Sequence, residues 1–118
     1  MANNLVERLS SEKKVHHQNL RSQAKRDAEE FVSAASYGFL RTIHRRRTEI
    51  LECTDGVFVA PLLEDGELGD HFRGIRENDP ETFECDDAGR LDEDGIVFLA
   101  AWFEEACKTW DEVSSQLR

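Results

Sequence analysis

The chain has 118 residues, with 15 Lys/Arg against 25 Asp/Glu for a formal charge of −10. That length reads as one domain, 1–118, with chain enough for a core, and the acid excess sets it apart from ordinary nucleic-acid-binding domains, which are basic. Two Trp, seven Phe and 39% hydrophobic residues exclude a disordered acidic tail.

The charge is divided unevenly. Residues 1–47 carry ten Lys/Arg and five Asp/Glu (+5), and residues 48–118 carry five and twenty (−15), which sum to −10. Such a split implies either two surfaces with different partners or two halves that attract each other, within one fold or across a homodimer. The start of the chain has no apolar run suited to a signal peptide, and no stretch approaches the ~18 apolar residues of a membrane span. Cys53, Cys85 and Cys107 are odd in number and widely spaced, which reads as reduced thiols. A cytoplasmic location and no membrane partner are therefore expected.

The first fifty residues read as helix. Asn4 and Glu7 have the spacing of a capping box. From Leu20 the apolar positions run Ala24, Ala28, Phe31, Ala35, Phe39, Ile43 and Ile50, close to the helical period. Thr54-Asp55-Gly56 is a stop signal, with Gly56 able to take the left-handed cap. One helix from Asn4 to Thr54 would be roughly 75 Å long at ~1.5 Å per residue, so it must break or form a rod in a dimer. A break near Ser10-Ser11 predicts a main helix over about 11–53, with a bend at Gly38 as the alternative. Residues 31–43 are apolar on more than one face, and their small residues suggest a tight helix crossing.

Val57 to Ala60 is β-branched and aromatic, which leaves room for a small two-stranded β element near 57–60; Thr82 to Cys85 is the candidate partner. Glu67 to Glu77 reads as a short helix ended by Asn78-Asp79-Pro80, and 84–95 as an acidic loop. Leu99, Phe103, Ala106, Trp110, Val113 and Leu117 form an unbroken stripe, predicting an amphipathic helix over about 94–117 with Asp92 or Asp94 as its N-cap. Ile96 to Phe103 is apolar all round, so this end should be deeply buried, and Cys107 should be a small buried hydrophobe. The expected fold is mainly α, with three to four helices.

No motif predicts catalysis. There is no G-x-S-x-G and no glycine-rich phosphate loop, and Glu104/Glu105 fall on a solvated helix face. Asp92-Glu93-Asp94-Gly95 has the flavour of a calcium loop, but with Gly95 at loop position six, Arg90 and Ala101 occupy positions that need acids. His16 and His17 point about 100° apart on a helix, and no Cys/His pair has zinc spacing. The expectation is a protein that is not an enzyme and has no catalytic residue, no cofactor and no metal site.

Two charged features remain. Arg41, Arg45, Arg46 and Arg47 make a cationic patch, and one of Arg46 and Arg47 must lie on or beside the apolar stripe. Glu64, Asp65, Glu67, Asp70, Glu84, Asp86, Asp87, Asp92, Glu93 and Asp94 make an acidic face suited to a basic protein partner. In size, charge and helicity the chain is similar to small acidic inhibitors: bacteriocin immunity proteins, anti-restriction or anti-CRISPR proteins, and acidic partner chaperones. The expected function is thus an acidic binding protein or inhibitor, a nucleic-acid mimic that engages a basic partner. A small dimeric nucleic-acid-binding regulator using the arginine patch and a helical scaffold are the alternatives.

Overall fold

The computed structural model describes residues 2–53, 55–64 and 66–116, with side chains described from Glu12 to Glu112 within those ranges. The fold is mainly helical. Its helices are α1 (Ala2–Ser33), α2 (Tyr37–Leu51), α3 (Val59–Leu62), α4 (Glu67–Asn78) and α5 (Glu93–Gln116), with a 3-10 turn at Pro80–Phe83. At ~1.5 Å per residue α1 alone is roughly 48 Å long, which accounts for most of the longest dimension of 58 Å.

The expected helix over 11–53 is in fact two helices. The backbone of α1 runs unbroken through Ser10-Ser11, and the helix is interrupted at 34–36. A serine inside a helix costs only ~0.5 kcal/mol, so a break needs a competing cap to fix it. Ser36 supplies that cap: its backbone is extended, and its side chain accepts from the Phe39 N–H at 3.1 Å. Ser33 closes the preceding helix by donating its hydroxyl to the Glu30 carbonyl. The small residues of 33–36 therefore serve a turn rather than a tight crossing. Gly38 meets no close neighbour that a side chain would strike. The side chains of the Asn4/Glu7 start signal lie outside the described residues, as do Thr54 and Leu117.

Helix α5 is the centre of the molecule. Leu99, Trp102 and Phe103 are fully buried, and Ala106 continues the stripe. Helix α1 lies on α5 with Leu20, Ala24 and Ala28, while α2 brings Leu40, Ile43 and Ile50 to the core. Contacts advance in the same sense along α1 and α5, from Lys13 with Glu93 to Asp27 with Trp102, so these two helices run parallel. Phe72 and Phe83 close a third side. The rings of Phe72 and Trp102 are 4.9 Å apart, and those of Phe83 and Phe98 are 5.5 Å apart, both edge-to-face. Full burial of side chains of this size stabilises by about 1.5–3 kcal/mol each. The first two turns of α5 are not buried all round as expected: Ile96 stays 38% exposed, because no helix packs on that side.

Among the described residues there is no β-strand. Two isolated antiparallel bridges pair Phe58 with Arg90 and Cys85 with Leu91. The expected pairing of 57–60 with 82–85 is thus replaced by pairing with the far side of the acidic loop. Val59 already starts α3, which accommodates Pro61 because first-turn N–H groups have no helical partner to lose. The acidic loop is itself a built turn. Asp86 Oδ1 accepts from the Ala88 and Arg90 N–H groups, and Gly89 takes φ +84°. Asp92 then caps α5 by accepting from the Gly95 N–H at 3.1 Å. Gly95 suits the tight approach there, since a Cβ would lie 3.0 Å from the Thr82 carbonyl oxygen.

Candidate functional site

The acidic residues fall into three groups, held by three different elements. Glu64, Glu67 and Asp70 are exposed around the start of α4, and Asp65 lies outside the described residues. Asp70 pairs with Arg73, which also donates to the Leu63 carbonyl. Glu84, Asp86 and Asp87 are exposed on the turn. There the Arg90 N–H, followed by the Ala88 N–H and the Arg90 charge, holds the Asp86 carboxyl below its usual range. Asp92, Glu93 and Asp94 begin α5. Glu93 Oε2 lies 2.7 Å from Lys13 Nζ, and this bond lowers the carboxyl and raises the ammonium.

Several of these acids are therefore structural. Asp92 caps a helix, Asp86 shapes a turn, and Asp94 binds both His16 and His17, at 3.0 and 3.2 Å. The two imidazoles leave the helix in different directions yet converge, because the carboxylate lies between them and offers one oxygen to each. Glu67, Glu84 and Asp87 are exposed and have no ion-pair partner among the described residues. These three are the acids most available to another molecule.

The arginine cluster is divided. Successive helical residues turn by about 100°, so Arg45, Arg46 and Arg47 point in three directions. Arg46 turns inward, with a side chain only 15% exposed. It donates to Glu49 and to the Pro61 carbonyl, and it lies 3.4 Å from Glu64. Its guanidinium thus ties α2 to the α3–α4 connection. Arg45 Nε is 3.8 Å from Glu49, and Arg41 and Arg47 are exposed. The inward arginine adjacent to the apolar stripe was legible in the sequence; its carbonyl partner was not.

One cluster has no counterpart among the expected site residues. Asp27 Oδ2 accepts from His71 Nε2 at 2.6 Å and from Trp102 Nε1 at 2.8 Å. A carboxylate can only accept, so His71 carries its proton on Nε2. Phe31 stacks on the imidazole, with ring centres 4.2 Å apart. Burial raises the Asp27 carboxyl, but the bonds from His71 and Trp102 and the imidazole charge outweigh it and leave the group below its usual range. Among the described residues no Ser, Thr or Cys hydrogen-bonds to His71.

Cys107 is buried as expected, while Cys53 and Cys85 are exposed. Burial pushes the Cys107 thiol up, against Arg47 and with Asp111. Among the described residues no group of three His, Cys, Asp or Glu is placed to hold a metal ion, and no helix is long and apolar enough to cross a membrane. A cleft of about 300 Å³ beside Arg45 and Arg46 is lined by Glu49, Glu64 and Glu67 as well, so its charge is mixed. No protein-family model, curated protein or solved structure matches this chain.

Proposed function

We propose that this protein is a non-enzymatic acidic binding protein of the cytoplasm, an inhibitor of the anti-defence or immunity type. It engages a basic, nucleic-acid-handling protein through the exposed carboxylates of its C-terminal half. The observation that supports this reading over the alternatives is the division of the arginine cluster. Arg46 is taken up by Glu49, Glu64 and the Pro61 carbonyl, and Arg45 and Arg47 leave the helix in different directions, which removes one arginine from the patch and divides the rest. Glu67, Glu84 and Asp87 remain exposed on a half of the chain with fifteen excess negative charges. Such charge steers association with a cationic surface.

The test uses an arginine-rich peptide and a short DNA duplex as probes. Calorimetry at low salt should show peptide binding that weakens by about tenfold in Glu67→Lys/Glu84→Lys/Asp87→Lys, a variant that spares the capping and turn-forming acids. Unchanged peptide affinity in that variant overturns the acidic interface. Retardation of the duplex at about 50 mM salt would instead support the regulator that uses Arg41, Arg45 and Arg47.

A further inference from the structure

The polar surface between α1 and α4 holds a groove separate from the exposed acids. Both helices rest on α5, and they meet each other at the Asp27–His71 contact. One turn further along α4 and one turn back along α1, a cavity of about 210 Å³ opens. Gln23 and Asp27 line it from α1, Ile75 and Asn78 from α4, Asp79 from the turn, and Phe98 from α5. Asp79 and Thr82 are shared with a smaller hollow of about 70 Å³ that continues toward His16 and Asp94. No Lys or Arg lines either hollow.

The lining has a consistent chemistry. One Asp27 oxygen is occupied by His71 and Trp102, and one Asp79 oxygen accepts from the Thr82 hydroxyl. The second oxygen of each carboxylate has no hydrogen-bond partner among the described residues. Gln23 and Asn78 add neutral amides at the rim, and Ile75 and the buried Phe98 form an apolar wall. Two carboxylates with a free oxygen each, beside an apolar wall, match a guanidinium, which is planar, carries five donors in a fixed fork and is weakly hydrated. An ammonium uses the same acceptors as a point charge, without the planar fork. The volume is below the ~300–1,000 Å³ of pockets that enclose whole small molecules, and is suited to a single side chain.

We propose that this groove receives an arginine side chain of the basic partner, with the guanidinium held between Asp27 and Asp79 and its methylene stem against Ile75 and Phe98. The proposal rests on the acidic-binding reading and adds to it a receptor pocket and a residue type. Trp102 reports on it directly, because its indole N–H shares the Asp27 carboxylate. The chain has two tryptophans, so Trp110→Phe assigns the two indole signals in a nitrogen–proton correlation spectrum.

The experiment titrates the full chain with a hexa-arginine peptide and follows both indole signals alongside calorimetry. The expected result is a saturable shift of the Trp102 signal with the Trp110 signal unmoved, and a weaker response to hexalysine. Gln23→Lys and Asn78→Lys, both at exposed rim positions, place a tethered ammonium in the groove and should weaken the Trp102 response by about tenfold. Asn78→Ala opens the same rim without adding charge and should retain it. Peptide binding that leaves Trp102 unmoved, or that moves it equally in Asn78→Lys, overturns the groove and leaves the acidic interface standing. Absence of peptide binding at low salt overturns the acidic interface. The groove is then judged with N-acetylargininamide alone, whose failure to move Trp102 overturns it too.

Discussion

Asp27 and Asp94 both join the basic half of the chain to the acidic half through histidine, in opposite senses. Asp27 belongs to the basic half and holds His71 and Trp102; Asp94 belongs to the acidic half and holds His16 and His17. Their surroundings differ more than their chemistry. Both carboxylates are about a third exposed, at 33% and 34%, but the Asp27 partners sit among Phe31 and Phe72 and include the fully buried Trp102, whose indole N–H would be left without a partner and with little access to water. Around Asp94, His16 is exposed and water can replace its bond, whereas His17 is buried, with its side chain 11% exposed. The same pair of residue types thus ties a buried indole into the core in one place and joins one buried and one exposed imidazole in the other. Charge complementarity between the halves is part of the fold, but its energetic weight is set by burial.

The largest effect expected is at the shared partner of the inner site. Trp102→Ala removes a fully buried ring and should cost about 3–5 kcal/mol in denaturant unfolding. Asp27→Ala leaves the Trp102 and His71 donors unpaired and should cost about 1–3 kcal/mol. A smaller, pH-dependent effect follows from the depressed Asp27 carboxyl. Its contribution is present above the ordinary value of 3.8 and is lost as pH falls through the lower folded value. Asp27→Asn should therefore flatten the acid limb of a stability profile below pH 3.8. Asp94→Asn should be mildest, at about 1 kcal/mol or less in the same unfolding measurement. A larger loss from Asp94→Asn than from Asp27→Ala would break the distinction between inner and outer sites.

What could be read from the sequence was what repeats locally. The α5 stripe of Leu99, Phe103 and Ala106 announces a helix because its period is a property of the segment itself, and α4 follows for the same reason. The end of α1 was hidden because Ser10-Ser11 and Ser36 offer similar caps. Ser36 lacks the Glu or Gln three residues on that would mark it, since Phe39 stands there. The choice between them is made by where α2 must lie to bury Leu40, Ile43 and Ile50. The acidic loop showed its turn residues but not its pairing, because Phe58 and Arg90 are brought together by the rest of the fold. Of the candidate site, the exposed acids and the inward arginine were legible from charge and phase. The Asp27–His71–Trp102 cluster was not: its members lie on three helices, and no local spacing links them.

The parallel seam between α1 and α5 also bears on the order of folding. It joins residues 75 to 80 positions apart, a long closure for a helical protein. Helices α1 and α2 precede α5 in the chain, but the surface that Leu20, Ala24, Ala28 and Ile43 must cover is supplied by that later helix. During synthesis those apolar faces stay open until α5 has been made, which is the stage at which nascent chains aggregate or meet chaperones. A chain cut before Glu93 would keep the basic half and most of the acidic residues, yet lose the helix on which both are assembled.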